Sequence, residues 1–410
     1  AMPDTAKLSD FAFINPATDT NGTASDASVA FIPMAAVAED GGWRSTENRP
    51  LSDGRRGYTL FQRGDVIVAK ITPCFENGKV ALLSNLETDY GLGSTEFHVL
   101  RAKPGHDPRF IYHWARHPAL LRSGEASMTG SAGQRRVPAG FFERFAITKI
   151  EGPPQQLIAD ILDAIDDAIR ETDAAIEKSQ AIRLGLLDDL IAVPAQIGRT
   201  DAPATLAALV ASISSGCSVN ADDRPPAAGE FGVLKTSAVG GGRFRRLESK
   251  AVWPREVSRL KCPVEAGLIL FSRMNTPQLV GENAFVDQDH PGLFLPDRLW
   301  AIRVKENADI LPEWVATILQ TRQARAFITG EATGTSGSMK NIARTSLLRL
   351  PVRKLPHADQ VDAMKAVHAL QAEIDALMSE RGKLAALRLG LRDDLLTGRK
   401  PVVAIREAAE

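Results

Sequence analysis

The sequence predicts an α+β protein in which two similar globular modules alternate with two long helices. Three observations lead to this prediction. A nine-residue segment that begins at Ile182 recurs about 205 positions later, beginning at Leu387. Each copy closes a stretch of apolar residues with heptad spacing, and each stretch follows a region of short β-prone runs and turns. An internal repeat of this kind makes each half of the chain one module followed by one helix.

The repeated segment reads Ile-Arg-Leu-Gly-Leu-Leu-Asp-Asp-Leu at 182–190 and Leu-Arg-Leu-Gly-Leu-Arg-Asp-Asp-Leu at 387–395. Upstream, a Thr-Gly-small loop at 129–131 is matched at 333–335, and a strand-like run at 64–70 is matched at 267–273. The expected segments are the first module, the first helix, the second module, the second helix and a C-terminal tail, at 2–152, 153–194, 195–354, 355–398 and 399–410.

Within the first module, short apolar runs at 65–70, 80–83 and 97–100 are bounded by Gly, Pro, Asn and Asp. Such runs are typical of strands, so we expect a mixed sheet. Apolar segments at 110–117 and 314–320 have the spacing of helices and again lie about 204 positions apart. Each module is therefore predicted to combine sheet and helix, with many loops that could present a binding surface.

The long helices carry apolar residues that step by four and three, as in the seam of a coiled coil. The two seams share one register, and the partner of each is expected in the other helix, packed antiparallel. The seam positions are Ile158, Leu162, Ile165, Ile169, Thr172, Ile176, Ser179, Arg183, Leu186 and Leu190, then Ala363, Val367, Leu370, Ile374, Leu377, Arg381, Leu384, Arg388, Leu391 and Leu395.

Prolines at 153, 154 and 356 suit the first turn of a helix, and Gly398 suits the end of one. About 38 residues at 1.5 Å each give rods of roughly 55–60 Å, long enough to act as spacers. The acidic outer face of the helices is a candidate surface for a partner protein. The candidate partner-binding residues are Asp188, Asp189, Asp393 and Asp394.

Composition narrows the class of protein. The 410 residues are 44% hydrophobic and 24% charged, enough for two cores. Three scattered cysteines give no disulfide framework or zinc spacing, and no apolar run reaches the length of a membrane helix. We therefore expect a cytoplasmic protein. The net charge of −1 is an average, because 155–190 holds nine acidic and three basic residues and leaves the modules correspondingly more basic.

Basic and polar residues recur at matching loops of the two modules. Arg, Lys, Gln and Asn side chains, together with backbone amides of glycine-rich loops, can contact phosphates and base edges of DNA. These loops are therefore the predicted DNA-binding surface. Its candidate residues are Lys70, Thr129, Ser131, Gln134, Arg135, Arg136, Arg243, Arg245, Arg273, Asn275, Thr335, Ser338, Lys340 and Asn341.

Patterns of catalysis are missing from the sequence. The chain has no GxxxxGK[ST] phosphate loop, no GxSxG nucleophile elbow and no Asn/Asp-Pro-Pro-aromatic motif of a DNA methyltransferase. His113 and His117 lie four residues apart but have no third metal ligand beside them. We predict no catalytic residue and no metal site in this chain.

The order of these motifs resembles that of the specificity subunit of type I restriction-modification systems. The resemblance covers nearly the whole chain and includes Gly-Ser-Thr-Glu-Phe-His at 93–98, Pro-Gln-Gln at 154–156, Leu-Pro-Asp-Arg-Leu-Trp at 295–300 and the repeated Asp-Asp-Leu ends. It implies two target-recognition domains related by a pseudo-twofold axis. Each domain would read one half of an asymmetric split site, and the antiparallel helices would set the gap between the halves.

The same resemblance implies partners for this chain, which would itself be non-catalytic. They are double-stranded DNA, two methyltransferase subunits that dock on the helices, and restriction subunits. S-adenosylmethionine, ATP and Mg²⁺ would be bound by those partner subunits. One departure concerns the first loop, where Gln134-Arg135-Arg136 stands in place of the basic-then-Asn ending that Lys340-Asn341 keeps.

Three alternatives remain open at this point. The chain could serve a related phage-defence complex, because the part that recognises the DNA sequence would look the same. It could be a metal-dependent nuclease that uses Asp223, Glu248 and Lys250. It could also be a coiled-coil scaffold whose modules bind only proteins.

Overall fold

A computed structural model describes residues 4–44, 47–131, 133–191, 204–306, 309–334, 339–353 and 355–402. The chain divides into two compact units. The first unit consists of two segments of the chain, one ending at Asp173 and one starting at Ser379. The second unit spans Ala174–Met378. Each long helix is thus shared, one half belonging to each unit. The predicted boundary at 194/195 and the last eight residues of the predicted tail lie outside the described residues.

The first unit contains two four-stranded sheets and a two-stranded pair. Its strands are β1 Thr5–Lys7, β2 Ala12–Ile14, β3 Ser28–Ile32, β4 Glu47–Pro50, β5 Thr59–Gln62, β6 Val66–Ala69, β7 Val80–Leu82, β8 Tyr90–Gly93, β9 Phe97–Ala102 and β10 Ala146–Thr148. Its short helices are α1 Leu8–Phe11, α2 Pro108–Ala115, α3 Pro118–Ala126 and α4 Ala139–Arg144. The strand orders are β2-β9-β6-β7, β4-β3-β8-β5 and β1-β10.

The second unit repeats this plan. Its strands are β11 Ala204–Thr205, β12 Val210–Ser215, β13 Ala221–Asp222, β14 Gly232–Leu234, β15 Val239–Gly240, β16 Arg243–Phe244, β17 Ser249–Val252, β18 Pro263–Val264, β19 Ile269–Ser272, β20 Met274–Asn275, β21 Asn283–Phe285, β22 His290–Phe294, β23 Leu299–Val304, β24 Lys340–Asn341 and β25 Pro351–Val352. Its short helices are α6 Leu206–Leu209, α7 Pro312–Ile318, α8 Arg322–Glu331 and α9 Arg344–Leu348. Short 3-10 helices in the two units cover Met34–Ala36, Leu51–Arg56, Thr236–Ala238 and Pro254–Arg259.

The duplication is visible in sheet topology. The order β12-β23-β19-β21 matches β2-β9-β6-β7, and all neighbouring strands in both sheets are antiparallel. In the other sheets, β13-β17-β14-β22-β18 matches β4-β3-β8-β5 with one added edge strand, and each contains one parallel pair, β14 with β22 and β3 with β8. The predicted mixed sheet and internal repeat are confirmed.

The two long helices are α5 Pro153–Ile191 and α10 His357–Leu396. A buried glutamine fixes the start of each. Gln155 accepts a hydrogen bond from the Asp107 backbone amide (2.9 Å) and donates to the Ile150 carbonyl (2.6 Å). Gln360, its counterpart 205 positions later, makes the same pair of bonds with the Leu311 amide (2.8 Å) and the Leu355 carbonyl (2.7 Å). Each helix is thereby tied to the module that precedes it.

Within each unit the halves of α5 and α10 run antiparallel. In the first unit Asp173 and Asp166 of α5 pair with Arg381 and Arg388 of α10, and in the second Ser179 donates to Glu373 (3.0 Å). Helix residues also enter the module cores, with Ile158, Leu162 and Leu395 in the first unit and Leu187, Ala363 and Val367 in the second. The predicted antiparallel coiled-coil arrangement is confirmed. No helix in the described ranges is both long and apolar enough to cross a membrane.

Candidate nucleic-acid interface

Two basic residues stand at equivalent strand ends. Lys70 follows β6 and Arg273 follows β19, the strands that lie between two neighbours in their sheets. All four residues of each strand are buried, so the strand is rigidly held up to the point where the basic residue begins. The Lys70 amide donates to the Glu96 carbonyl (2.9 Å), and the Arg273 amide donates to the Arg298 carbonyl (3.1 Å).

The Thr-Gly loops return to these strand ends. Thr129 and Arg136 exchange two backbone hydrogen bonds (3.0 and 2.8 Å), and Thr333 and Asn341 exchange the same two (2.9 and 2.8 Å). The next residue closes the arrangement in each unit, because the Val137 amide donates to the Lys70 carbonyl (2.8 Å) and the Ile342 amide to the Arg273 carbonyl (3.1 Å). The same backbone hydrogen bonds therefore hold the strand-end base beside the Thr-Gly loop in each unit. We call this arrangement the loop framework of that unit.

The loop framework in the second unit includes two further predicted residues. Asn275 and Lys340 are partners in the short antiparallel ladder of β20 with β24, and the Asn275 amide group donates to the Ser272 hydroxyl (3.2 Å). In the first unit the corresponding end of the loop is a turn, in which the Gln134 backbone amide donates a hydrogen bond to the Ser131 carbonyl (3.0 Å). Thr335 and Ser338 lie outside the described residues.

The two arginines of the first framework, Arg135 and Arg136, are neutralised by acids of the same unit. Arg136 donates to both carboxylate oxygens of Glu96 (2.9 and 2.8 Å), which lowers the pKa of Glu96 and raises that of Arg136. The Arg135 guanidinium lies 3.6 Å from the Glu76 carboxylate. A base held in this way must give up an ion pair before it contacts a phosphate.

Among the described residues, the second framework has no such acid. Arg298 occupies the position of Glu96, as their shared backbone bonds to Arg273 and Lys70 show. Arg273 and Arg344 hold their guanidinium carbons 5.9 and 5.7 Å from the ring centre of Trp300, in the range of cation–π contact. Together with Arg298 and Lys340, which the same backbone framework brings near, they give four cations, none of which pairs with a carboxylate in the part of the chain that the structure describes. We call Arg273, Arg298, Lys340 and Arg344 the second-unit cation cluster.

Two members of this cluster, Arg298 and Arg344, are not among the DNA-binding candidates that the sequence predicts. The signal for Arg298 lay in the alignment of the two halves, in which a base replaces the acid Glu96. Arg344 is the first residue of α9 and is identified only by its position over Trp300.

Arg243 and Arg245 have other contacts. Arg243 on β16 is in an ion pair with Asp375 of α10, and burial lowers the pKa of its guanidinium. Arg245 donates to the Ser237 carbonyl (3.4 Å). Among the described residues, no hydrogen bond or ion pair joins either of them to Arg273 or Lys340.

The four aspartates predicted to bind a partner differ in their surroundings. Asp188 accepts the Arg322 backbone amide (3.0 Å) and pairs with its guanidinium, so it ties α5 to α8. Asp393 and Asp394 pair with Arg399, and Asp394 also lies 3.1 Å from the Lys400 ammonium group. Asp189 is exposed on α5. Three of the four carboxylates thus have bases of their own unit beside them.

The described residues considered for metal chemistry do not form a group of metal ligands. Asp223 pairs with Lys235 (2.8 Å) and lies 3.7 Å from Lys250, while Glu248 accepts from the Ser237 hydroxyl (2.7 Å). His113 contacts Asp163 (2.9 Å), and His117 caps α3 by accepting the Ala119 amide (3.2 Å). In the described ranges, no three His, Cys, Asp or Glu side chains are grouped as a metal site requires.

Comparison with known sequences identifies relatives along nearly the whole chain. The specificity subunit of the type I restriction enzyme EcoEI of Escherichia coli is 24% identical over 482 aligned positions, which cover 95% of this chain and 81% of that protein. The specificity subunit of type I restriction enzyme EcoAI of Escherichia coli is 41% identical over 153 positions, 36% of this chain and 25% of that protein. A scan against protein-family models gave no match.

Solved structures share the fold. The S subunit of a type I restriction-modification system from M. genitalium superposes with a TM-score of 0.58 at 13% identity and covers 96% of both chains. A chain from a structure of complex assembly and conformational transition in a type I R-M system gives a TM-score of 0.57 at 16% identity, covering 96% of this chain and 97% of that one. The resemblance seen in the sequence is thereby confirmed: the curated relatives are specificity subunits of type I restriction enzymes, and the solved structures share the fold of this chain.

Proposed function

We propose that this chain is the non-catalytic subunit that reads a bipartite DNA sequence and brings methyltransferase and restriction subunits to it. The observation that carries the proposal is the loop framework built twice, once in each unit, with a cation cluster that no acid neutralises in the second. Such cations are available to phosphates. The curated relatives are named as specificity subunits of restriction enzymes, which is the same role.

The two frameworks favour an asymmetric site. Positions with the same backbone bonds carry Glu96 and Arg136 in the first unit but Arg298 and Asn341 in the second. A carboxylate suits a cytosine amino group, an arginine suits guanine and an asparagine suits adenine. Units with such different side chains would read different half-sites.

The partners follow from the duplication. Each long helix ends in one copy of the repeated segment, so the chain offers two similar surfaces and would hold two methyltransferase subunits, with Asp189 as the exposed acid of the first copy. Restriction subunits would join this assembly. S-adenosylmethionine, ATP and Mg²⁺ would be bound by those subunits, and the described residues of this chain contain no group of three metal-ligating side chains.

The proposal is tested by the salt dependence of DNA binding. Each phosphate contact contributes about 0.9 to the slope of log affinity against log salt, which is about 3.5-fold in affinity between 50 and 200 mM salt. Arg273→Ala and Lys340→Ala should each lower the slope by about 0.9. Arg135→Ala and Arg136→Ala should lower it less, because Glu76 and Glu96 already hold those side chains.

The matched control is Arg303→Ala. Arg303 lies on β23 of the same unit, is half exposed and pairs with Glu265 (2.7 Å), so its removal should leave the slope unchanged. Binding is measured by fluorescence anisotropy of duplex DNA with the chain in complex with its methyltransferase subunits. Equal slopes for wild type, Arg273→Ala and Lys340→Ala would contradict the proposed interface.

A further inference from the structure

The arginine of the repeated segment has a different partner in each unit. In the first unit Arg388 of α10 pairs with Asp166 of α5, with a second contact of 3.2 Å between Nη2 and Oδ2. Both side chains are largely buried, with 18% of Arg388 and 13% of Asp166 exposed. A buried guanidinium is stable in this place because a carboxylate of the same unit compensates its charge.

The second unit lacks that carboxylate. Adding the repeat offset of about 205 to Asp166 gives position 371, which is Gln371, opposite Arg183. The register of the antiparallel helices agrees, since Asp166 meets Arg388, Asp173 meets Arg381 and Ser179 meets Glu373. The Gln371 amide group instead donates to Asp375 (2.8 Å), and Asp375 is already paired with Arg243.

Arg183 is therefore a mostly buried cation without a counter-ion. Its Nη2 donates to the Gln320 side-chain oxygen (2.5 Å), a neutral acceptor, and its Nε is buried without a hydrogen-bond partner. No carboxylate of the described residues pairs with it. Burial, and then the neighbouring Arg243, lower the pKa of Arg183, as expected for an uncompensated charge.

A cavity of about 150 Å³ opens beside this guanidinium. Asn283 lines it with a side chain only 1% exposed, and neither its amide nitrogen nor its oxygen has a partner. The one acid of the lining, Glu282, accepts the Gly241 amide (2.5 Å) and lies 3.5 Å from Arg325. The lining thus carries one positive charge in excess, that of Arg183, together with unsatisfied donors.

We propose that this cavity binds a small oxyanion, a phosphate or a carboxylate, which compensates the charge of Arg183 as Asp166 compensates that of Arg388 in the first unit. Arg183 supplies the charge and the buried Asn283 amide supplies a further hydrogen bond. The volume is several times the ~30 Å³ of a water molecule and fits one such group. The oxyanion could be a free ion or an acidic side chain of a bound protein. This inference is independent of DNA recognition.

The test restores the missing carboxylate. Gln371→Asp places in the second unit the acid that the first unit has, and Gln371→Asn is its neutral control of the same size and similar helix propensity. Isothermal titration calorimetry of the full chain, at constant ionic strength, uses inorganic phosphate and separately acetate as the probes. Wild type and Gln371→Asn should bind one anion per chain, while Gln371→Asp and Arg183→Gln should lose at least tenfold in affinity.

The two probes separate the sources of the oxyanion. Binding of phosphate but not acetate would identify a free phosphate-like ion, whereas binding of acetate as well would identify a carboxylate, as an acidic side chain provides. Gln371→Asp should also raise the Tm of the second unit by about 2–4 °C, the shift expected for a modest gain in the free energy of unfolding of a domain of this size. A cavity filled with water alone would bind neither probe and leave the Tm of Gln371→Asp equal to that of Gln371→Asn, and this result would overturn the proposal.

Discussion

The buried charge cluster of the first unit gives the sharpest prediction about what anchors the helices. Arg388, Arg392 and Arg116 are 18%, 7% and 9% exposed, and the carboxylate of Asp166 contacts Arg388 and lies 3.7 Å from Arg116. Burial, followed by the charges of Arg388 and Arg116, lowers the pKa of Arg392 to about 10. Three guanidinium groups thus depend on one carboxylate.

Asp166→Asn removes that charge and leaves the guanidinium groups buried against one another. Breaking a buried ion pair by removing one partner costs about 3–5 kcal/mol. Because Asp166 keeps 13% of its surface exposed, we expect the lower end, about 3 kcal/mol, which lowers the Tm of a unit of this size by about 6–12 °C. The loss should be confined to the first unit.

The matched control is the neighbouring residue. Asp167 pairs with Arg170 on the exposed side of α5, where the two side chains are 58% and 68% exposed, so Asp167→Asn should cost less than about 0.5 kcal/mol. Because a chain of two units need not unfold in one step, hydrogen exchange is measured together with urea unfolding. Faster exchange in 158–173 and 384–395, but not in the second unit, is the expected result. A loss below about 1 kcal/mol for Asp166→Asn would refute the reasoning.

Three further predictions concern pH, an ion pair and helix length. Burial, followed by Arg392, lowers the pKa of His117 to about 4 from its usual 6.5, so its contribution to stability is complete above pH 6.5 and is lost as the pH falls toward 4. Unfolding measured across this range should show wild type losing stability relative to His117→Asn as the pH falls, by less than the full shift implies because the Asp393 carboxylate lies 3.3 Å from the imidazole. Glu96→Gln should release Arg136 for phosphate contact and raise the salt slope of DNA binding by about 0.9, and Glu87→Gln, an exposed control, should not. Insertion of seven residues into each long helix should add about 10 Å of helix and widen the gap in the DNA site by roughly three base pairs, read by sequencing of methylated sites; a constant gap would contradict the spacer role.

Much of the fold was predictable because the sequence contains an internal repeat. Similar sequence at 182–190 and 387–395, and heptad spacing before both, predicted two helices that the structure begins at Pro153 and His357. The structure adds that only part of the seam is deeply buried. Ile158 and Leu162 are 2% and 1% exposed beside the first module, whereas Leu377 and Leu384 near the middle of α10 are half-buried. Spacing cannot show this, because burial there comes from the modules that pack on the helix.

The sequence predicts which loops form the candidate site, but not which of their basic side chains are paired with acids. Lys70 and the Thr-Gly loop are about 60 residues apart in sequence, and matching motifs in both halves indicated their importance. The ion pair of Arg136 with Glu96 joins residues 40 positions apart, and nothing local in the sequence indicates it. Likewise, Arg243 stands behind three glycines like a phosphate ligand, but the hairpin of β15 and β16 delivers it to Asp375. Pairing with residues that are distant in the sequence therefore determines which basic side chains are available to contact phosphates. The local sequence pattern does not show this pairing.

The central claim is that this chain determines which DNA sequence its partner subunits modify. The most direct measurement is single-molecule sequencing of modified bases in the host genome, in strains that express the chain, lack it, or carry Arg298→Ala. The account predicts methylation at an asymmetric split motif in the expressing strain, its loss in the deletion strain, and reduced or relaxed methylation in one half of the motif with Arg298→Ala. Identical methylation in the expressing and deletion strains, with the protein and its methyltransferase subunits both detected, would contradict it.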